Sequence, residues 1–342
     1  MKRTYTSTVA SRRLSGGMTL IELMISLVLG LLVVAAAIGI FMSNKRVFRS
    51  TENLSRLQEN ARVAYELMAR EIREAGGNPC SRNLPMVNVL NNPGANWWSN
   101  WGDGVHGYDN IQPFGGAAFG SGAGGRVSGT DAIELRSGAP GEVTVIDHKP
   151  NSAQFKVNTN DHGLADGDIV MVCDFVQASI FQITNAQDGI NNTVVHNTGT
   201  GTPGNCSKGL GWADPPVCTT NGKPYAYGPN STIARLRATA WYVGNNGRGG
   251  RSLYQSSIRN SGGSISTLNQ EITEGVQDMQ IQYLLPTPGA TSYVDAASIT
   301  DWPKVSAVRI VLTMQGSDNV GTDGGKLVRQ VEHVVTLRNR NL

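Results

Sequence analysis

Residues 17–42 read GMTLIELMISLVLGLLVVAAAIGIFM, and this stretch decides how the whole chain is organised. Its last twenty residues, 23–42, contain no ionisable side chain and are long enough to cross the hydrocarbon core of a bilayer as a helix. Glu22 lies just inside the amino-terminal edge of this run. A carboxylate inside a membrane costs roughly 2.5–3.5 kcal/mol on insertion scales, so such groups usually have a partner and a function. We therefore predict a transmembrane helix with a functional carboxylate at its start.

The residues before this run form a short basic leader. Residues 1–17 contain no acidic side chain and four basic ones, namely Lys2, Arg3, Arg12 and Arg13. An ordinary secretory signal is cleaved after its apolar region, at small residues, whereas here Gly16 and Gly17 come before it. Cleavage after Gly17 would remove the leader and leave the apolar helix as the new amino terminus. By the positive-inside rule, the leader stays in the cytoplasm and the chain beyond the helix faces the periplasm.

Residues 17–23, GMTLIEL, resemble the class III prepilin signal of type IV pilins and type II secretion pseudopilins. The resemblance implies that the prepilin peptidase cleaves between Gly17 and Met18 and that Met18 is then N-methylated. It also implies that Glu22 becomes the fifth mature residue and serves as the charge used in assembly. The family most often has phenylalanine at the position of Met18. The alternative is a plain signal anchor, which would keep the leader.

Charge and composition bound the remaining possibilities. The chain has 29 Lys and Arg residues against 26 Asp and Glu residues, and removing the leader leaves 25 against 26. The positive balance therefore belongs to the leader, and it implies no basic surface for nucleic acid. Of the 342 residues 41 are glycine, and only 6% are aromatic. This composition favours a β-rich and loop-rich domain outside the membrane.

The predicted helix continues beyond the membrane. No Pro or Gly occurs from Asn44 to Ala75, and apolar residues recur at steps of three, four or seven along one helical stripe: Val47, Leu54, Leu57, Ala61, Ala64, Met68, Ile72 and Ala75. Gly76, Gly77 and Pro79 then end the helix. We predict that the stripe packs on the chain's own domain over residues 54–75, whereas residues 18–50 suit contacts with helices of partner subunits.

After the helix the sequence becomes rich in glycine and then in short strands. Residues 81–129 form a loop-rich segment whose aromatic side chains either cover a sheet face or make a partner surface: Trp97, Trp98, Trp101, Tyr108, Phe114 and Phe119. Strands are predicted at 131–137, 142–148, 154–159, 168–175, 180–185, 192–197, 233–243, 252–256, 276–285, 305–314 and 327–338. One long helix followed by many strands predicts an α+β fold, in which the transmembrane and amphipathic helix packs on an antiparallel β-rich domain.

Two further segments narrow the resemblance. Residues 57–62 (LQENAR) with 67–76 (LMAREIREAG) resemble the segment shared by PilW-type minor pilins and J-type minor pseudopilins, and residues 331–339 (VEHVVTLRN) resemble the end of PilW-type chains. The implied fold is type IV pilin-like. It consists of a cleaved leader at 1–17, a transmembrane half-helix at 18–43, an amphipathic half-helix at 44–76 and a β-rich head at 77–342.

The resemblance also implies a function. A PilW-type minor pilin primes the assembly of a type IV pilus, supports twitching motility and lies near the pilus tip. The implied partners are other minor pilins, a large tip adhesin, the major pilin, the prepilin peptidase and the inner-membrane assembly platform. The chain would cross the inner membrane once, with a periplasmic domain, and would then reach the cell surface in the pilus. Two alternatives stay open: a J-type minor pseudopilin of a type II secretion system, and a membrane-anchored periplasmic enzyme or binding protein.

Four cysteines in a predicted periplasmic domain suggest disulfides, and three pairings are possible. Cys206 and Cys218 are twelve residues apart in a polar loop, so a local bridge is the simplest arrangement. That bridge would leave Cys80, at the helix end, to pair with Cys173 in a predicted strand. A zinc site fails on spacing, because the sequence has no CxxC motif and its five histidines are dispersed.

Candidate catalytic sites are few. The sequence has no nucleophile-elbow, zinc-protease or phosphate-loop motif, and no glycine-rich dinucleotide-binding motif placed between a predicted strand and a predicted helix. His106 beside Asp103 and Asp109, and His162 in the acidic segment 161–168, suggest an acid–base pair or a Ca²⁺ loop. The acidic segment reads more simply as a turn that leads into the next strand. We therefore expect no enzyme activity, no catalytic residue, no cofactor and no metal.

Overall fold

The computed structural model describes residues 17–81, 84–139, 143–286, 292–321 and 324–339. The leader residues Lys2, Arg3, Arg12 and Arg13 lie outside these described ranges. The chain divides into two compact units, Met1–Glu52 and Asn53–Leu342. The first unit contributes the beginning of the long helix α1, Leu20–Glu74, and the second contributes its end together with all the described strands.

The end of α1 behaves as its sequence pattern predicts. In the second unit the helix buries one stripe: Asn53, Leu57, Ala61, Ala64, Met68, Ala69 and Ile72. The buried stripe begins later than the apolar pattern, because Val47 is exposed and Leu54 is only half-buried. After Glu74 the chain turns at Gly76, whose positive φ of 70° is a left-handed conformation that glycine adopts without a steric penalty.

The strands follow in chain order and are numbered accordingly. They are β1 Met86–Asn88, β2 Val105–Tyr108, β3 Ala132–Gly138, β4 Val143–Lys149, β5 Gln154–Val157, β6 Ile169–Cys173, β7 Ala178–Gln182, β8 Asn185–Ala186, β9 Thr193–Val195, β10 Thr232–Asn245, β11 Arg251–Ser261, β12 Ser264–Glu274, β13 Val276–Leu284, β14 Tyr293–Val294, β15 Ala307–Gln315 and β16 Val328–Thr336. Short 3₁₀ turns occur at Pro150–Ser152, Ala296–Ser298 and Trp302–Lys304.

The described strands form two sheets. The larger sheet has the order β1-β7-β6-β10-β4-β5-β9-β8, with β3 and β11 also paired to β10, β2 added to β3, and β12 added to β11. The larger sheet branches at the long strand β10, because the first residues of β10 pair with β4 and β6 and its later residues pair with β3 and β11. The smaller sheet has the order β14-β13-β15-β16. Every strand pair described here is antiparallel except β1 with β7.

Of the four apolar clusters in the described residues of the second unit, the two largest organise the domain. In the first, the stripe of α1 packs with β3, β10, β11 and the smaller sheet, where β13 alternates buried Met279, Ile281 and Tyr283 with less buried polar residues. The second core lies among β4–β7 and β9 and includes the buried rings of Phe155 and Phe181. The domain is therefore one helix-covered half joined through β10 to a second β-rich half.

The predicted fold class, a long helix with an antiparallel β-rich domain, is confirmed. Most predicted strands recur with ends shifted by a few residues, but β12 and the short strands β1, β2, β8 and β14 were not predicted. Of the aromatic residues in 81–129, Trp98, Trp101 and Phe114 are buried in the domain, which favours sheet cover over a partner surface for these side chains.

Candidate assembly site

The prepilin-like motif lies at the very start of the described chain. Gly17, Met18 and Thr19 precede α1 without regular structure and are exposed. The main-chain N–H of Thr19 and its hydroxyl each donate a hydrogen bond of 2.9 Å to Oε2 of Glu22. The N–H of Glu22 in turn donates to Oγ1 of Thr19 at 3.3 Å. This reciprocal arrangement is a capping box, which satisfies amide groups that the first helical turn leaves without partners.

The capping box shows how the carboxylate of Glu22 is held within a single chain. Its carboxylate is held by Thr19 and lies in the first turn, where a negative charge also opposes the helix dipole. Because these bonds are local and exposed, they can be exchanged for bonds to a cation that approaches the same carboxylate. The site can therefore offer a pre-positioned negative charge to a positively charged group.

The apolar run next to Glu22 has no cover within its own unit. In the described residues, α1 is a helix whose length and composition suit a membrane span, and none of the residues in its apolar window is buried. Every residue between 17 and 49 is exposed. An exposed apolar surface of this size needs either lipid or the apolar helices of other chains.

At the other end of α1, one acidic side chain adds polar contacts with the head to those of the buried stripe. Oε2 of Glu71 accepts hydrogen bonds from Oγ1 of Thr239 at 2.8 Å and from Nε1 of Trp241 at 2.7 Å. Oε1 of Glu71 accepts a bond from Nε2 of Gln255 at 2.7 Å. Thr239 and Trp241 belong to β10 and Gln255 belongs to β11, so a single carboxylate joins the helix to both strands. Burial raises the pKa of Glu71, although the hydrogen bonds from Thr239 and Trp241 act in the opposite direction.

Two disulfides brace the head. Cys80 bonds to Cys173 across 93 residues, and Cys206 bonds to Cys218 across twelve. These are the pairs that the sequence favoured. The first bridge joins the segment after α1 to the end of β6, and the second closes a local loop.

The structure brings His106 and Asp103 together, and it uses the polar groups of the segment 161–168 in local hydrogen bonds. In the segment 161–168, Asp168 accepts bonds from the N–H of Ala165 and from Nε of Arg235, and His162 Nδ1 accepts from the N–H of Leu164. His106 Nδ1 lies 3.0 Å from Asp103 and its ring packs at 4.5 Å from that of Trp302. Across the part of the chain that the structure describes, no group of three or more His, Cys, Asp or Glu side chains could hold a metal ion.

The roles of Thr19 and Glu71 were not predicted from the sequence, although it contains a signal for each. Thr19 and Glu22 form the spacing Thr-x-x-Glu, which is a capping-box pattern before an apolar run. Glu71 follows Ala64 by seven residues and Met68 by three, so helical periodicity places it on the buried stripe. A carboxylate on an apolar stripe predicts a specific buried partner.

The comparisons with known proteins match the two ends of the chain. Residues 240–339 match the family described as Type IV Pilus-assembly protein W, and residues 12–38 match the prokaryotic N-terminal methylation motif. No curated protein and no solved structure matches the chain. The first match includes β11–β16, and the second includes the capping box of Thr19 and Glu22.

The fold and the amino-terminal site together support a membrane-anchored pilin: they combine an exposed apolar helix that carries a prepilin motif with a β-rich domain on which the end of that helix packs. The two matches narrow this class. They confirm the resemblance drawn from the sequence and support a type IV pilus minor pilin of the PilW family. Both matched families are structural components of pili rather than enzymes.

Proposed function

We propose that this minor pilin primes pilus assembly and lies near the pilus tip with other minor pilins. The observation that carries the proposal is the contrast within α1, whose first part is apolar and wholly exposed while its end is built into a large irregular head. A helix of the first kind suits insertion among the helices of other pilins. A head of the second kind would crowd a repeating shaft, but it fits at an end of the filament.

Processing is the first step of the proposed mechanism. Cleavage between Gly17 and Met18 removes the leader and creates a positively charged α-amine, which is then methylated. The exposed, non-helical backbone at Gly17 and Met18 supports access by a peptidase. The proposed boundaries are those expected from the sequence: a leader at 1–17, a membrane-spanning half-helix at 18–43, an amphipathic half-helix at 44–76 and a head at 77–342.

Assembly is the second step. On leaving the bilayer, the apolar helix exchanges lipid for neighbouring apolar helices, so hydrophobic burial gains little and specific polar pairs decide which helices associate. Glu22 releases its bonds to Thr19 and neutralises the amine of an adjacent subunit, which removes the cost of two buried charges together. The proposed partners are other minor pilins, the major pilin and a large tip adhesin. The prepilin peptidase and the inner-membrane platform act before and during extraction, while the single-pass chain has its head in the periplasm.

A clean deletion tests this function. Loss of surface pili and of twitching, restored by the intact chain and not affecting secretion, is the expected result. If secretion fails while piliation persists, the chain belongs to a type II secretion system as a minor pseudopilin. If piliation and secretion are both normal and a periplasmic enzyme or binding activity disappears, the chain is better described as a membrane-anchored periplasmic enzyme or binding protein.

A further inference from the structure

The turn between β6 and β7 exposes two large apolar side chains at its tip. Residues 174–177 form a tight turn, in which the N–H of Asp174 bonds to the carbonyl oxygen of Gln177 at 3.1 Å. The two central residues are Phe175, which is 88% exposed, and Val176, which is 64% exposed. Phe175 exceeds every other described large apolar residue in exposure, including those of the apolar helix. Both side chains point away from the cores that the rest of the domain builds.

This turn breaks the local rules of hairpin sequences. Two-residue hairpin turns favour Asn and Gly, because the preferred turn types require positive φ. Neither Phe175 nor Val176 has a positive φ. Apolar β-branched and aromatic residues at such a position gain nothing from folding, since they are as exposed as in the unfolded chain. A local sequence that contradicts its own structure in this way is expected at functional positions.

The surrounding residues hold the turn in place. Oδ1 of Asp174 accepts bonds from the N–H of Val176 at 2.7 Å and from that of Gln177 at 2.9 Å. Oδ2 of Asp174 accepts a bond from the hydroxyl of Tyr225 at 2.6 Å. Gln177 is buried and donates to the carbonyl oxygen of Leu210 at 2.6 Å. Cys173, just before the turn, is bonded to Cys80. The tip is therefore presented in one backbone conformation.

The main chain of Trp212 contacts the turn, and the hairpin contains no basic residue. The N–H of Trp212 donates to Oε1 of Gln177 at 2.9 Å, and the Trp212 side chain is 43% exposed. Asp214, two residues further along, is exposed as well. No Lys or Arg occurs between Lys156 and Lys208, so neither strand of the hairpin carries a positive charge.

We propose that Phe175 and Val176 form an anchor that inserts into an apolar pocket of another pilus subunit, and that this pocket is rimmed by Lys or Arg. A folded protein fits better than a bilayer, because surface segments that enter membranes carry cations for anionic lipid, whereas this hairpin carries no cation and has one carboxylate, that of Asp174. The rim follows from the carboxylate of Asp174 next to the tip and from the absence of Lys and Arg in both strands, since opposite charges around an apolar contact favour the correct pairing. That the pocket belongs to a pilus subunit rests on the proposed function.

The fixed conformation of the turn should increase the binding affinity of this anchor. A side chain held in its bound conformation loses little freedom on binding, so more of the contact energy appears as affinity. A single aromatic side chain that fills a desolvated pocket is the usual centre of a protein interface.

Site-specific photo-crosslinking tests the anchor in the full chain in cells. A photoreactive phenylalanine analogue is placed at position 175 in one strain and at position 190 in another. Ile190 is the matched control, because it is 73% exposed in another loop of the same domain. The variants Phe175→Ser and Ile190→Ser are compared in parallel for processing, disulfide formation, piliation and the amount of each pilus subunit that co-purifies. Because Phe175 is exposed, its replacement leaves the fold and the chain's abundance unchanged.

The expected result is a cross-link from position 175 to one pilus subunit, with none from position 190, and a loss of that subunit of roughly tenfold or more in Phe175→Ser. The cross-linked peptide should lie beside Lys or Arg residues. Cross-links to lipid alone, to a protein outside the pilus, or to nothing overturn the anchor, as does normal co-purification in Phe175→Ser. The proposed function fails separately, if the deletion strain is fully piliated.

Discussion

Glu22 and Glu71 lie in the same helix, but their carboxylates differ in solvent exposure and in hydrogen-bond partners. The carboxylate of Glu22 is exposed and, within the described part of the chain, accepts its hydrogen bonds from Thr19 in the same helical turn. Glu71 is bonded to three side chains from two strands, and its surroundings exclude enough water to raise its pKa. A carboxylate of the first kind can change partners at little cost, whereas one of the second kind cannot. The first is therefore suited to assembly and the second to holding the head.

The role of Glu22 can be separated from its role as a cap. We expect Glu22→Leu to leave processing and membrane insertion intact but to reduce incorporation into the tip complex, because it leaves the partner's amine unpaired in an apolar contact. The matched control is Thr19→Val, which removes the two hydrogen bonds made by the Thr19 hydroxyl, keeps the bond from its main-chain N–H to the carboxylate, and costs about 1 kcal/mol at the helix start. Co-purification with other minor pilins measures both. Equal losses in the two variants would show that capping, and not pairing, is the role of Glu22.

Glu71 should dominate the attachment of the helix to the head. We expect Glu71→Ala to lower the free energy of unfolding by about 3 kcal/mol, because Thr239, Trp241 and Gln255 all lose their acceptor. Glu66→Ala is the control, since Glu66 pairs with Arg62 at 2.8 Å with both side chains exposed, and the loss of such a solvent-screened pair should leave the free energy of unfolding nearly unchanged. Urea unfolding of the purified protein measures the difference. Similar midpoints for the two variants would contradict this assignment.

A buried histidine pair gives the head a pH dependence. Nε2 of His148 lies 3.2 Å from Nε2 of His196, both side chains are buried, and burial lowers the pKa of each below its ordinary value of 6.5. The unfolded chain therefore binds more protons than the folded chain below pH 6.5, so stability is complete above that pH and falls as the pH decreases.

The size of this effect can be measured against a variant that cannot titrate. Between pH 6.5 and pH 5 we expect the free energy of unfolding to fall by about 1–3 kcal/mol, and to fall much less in the double variant His148→Gln, His196→Gln. Thermal unfolding across this pH range provides the comparison. Parallel pH curves for the two proteins would rule the pair out as the cause.

Among the elements, α1 was the most predictable and β12 the least. The helix could be predicted because its apolar stripe repeats over many turns and because Gly76 marks its end. The strand Ser264–Glu274 has mostly exposed residues on both faces, so it lacks the alternation that reveals a half-buried strand. The predicted strand 168–175 ran into the turn, because Phe175 and Val176 look like strand residues in the sequence. Only their exposure in the fold shows that they belong to a tip.

The disulfide after α1 should be the stronger of the two braces. Cys80→Ser with Cys173→Ser opens a loop of 93 residues, and the chain-entropy model gives a loss of roughly 4–5 kcal/mol. Cys206→Ser with Cys218→Ser opens a loop of only twelve, for roughly 3 kcal/mol. Unfolding midpoints of the oxidised proteins test this order. The reverse order would mean that the local bridge, and not the one between the helix end and β6, stabilises the head more.

At the scale of the whole molecule, the sequence predicted the ends better than the middle. The prepilin motif and the helix stripe are local patterns, and the matched segments 12–38 and 240–339 lie at the two ends. The half built from β4–β9 depends on long-range pairing through β10, which joins strands far apart in the chain. Such pairing leaves no periodic signal, so the position of Phe175 at the edge of this half could not be predicted.

The boundary between the two units gives a final prediction, that the segment Asn53–Leu342 folds by itself as a monomer. No residue from 17 to 52 is buried, whereas the first core needs Leu57, Met68 and Ile72 from the end of α1. Removing residues 1–52 therefore deletes no core side chain among the described residues 17–52 and also removes the apolar surface that would cause association. We expect cooperative unfolding in an oxidising buffer and a monomeric mass by sedimentation.

A shorter segment starting after Glu74 is the control for this boundary. It retains the described strands but lacks the helical stripe, which leaves the faces of β10 and β13 that contact α1 open to water. Loss of several buried side chains at once exceeds the usual stability of a domain, about 5–15 kcal/mol, so this segment should aggregate or remain unfolded. If it folded as well as Asn53–Leu342, the end of α1 would be an attachment to the head and not part of its core.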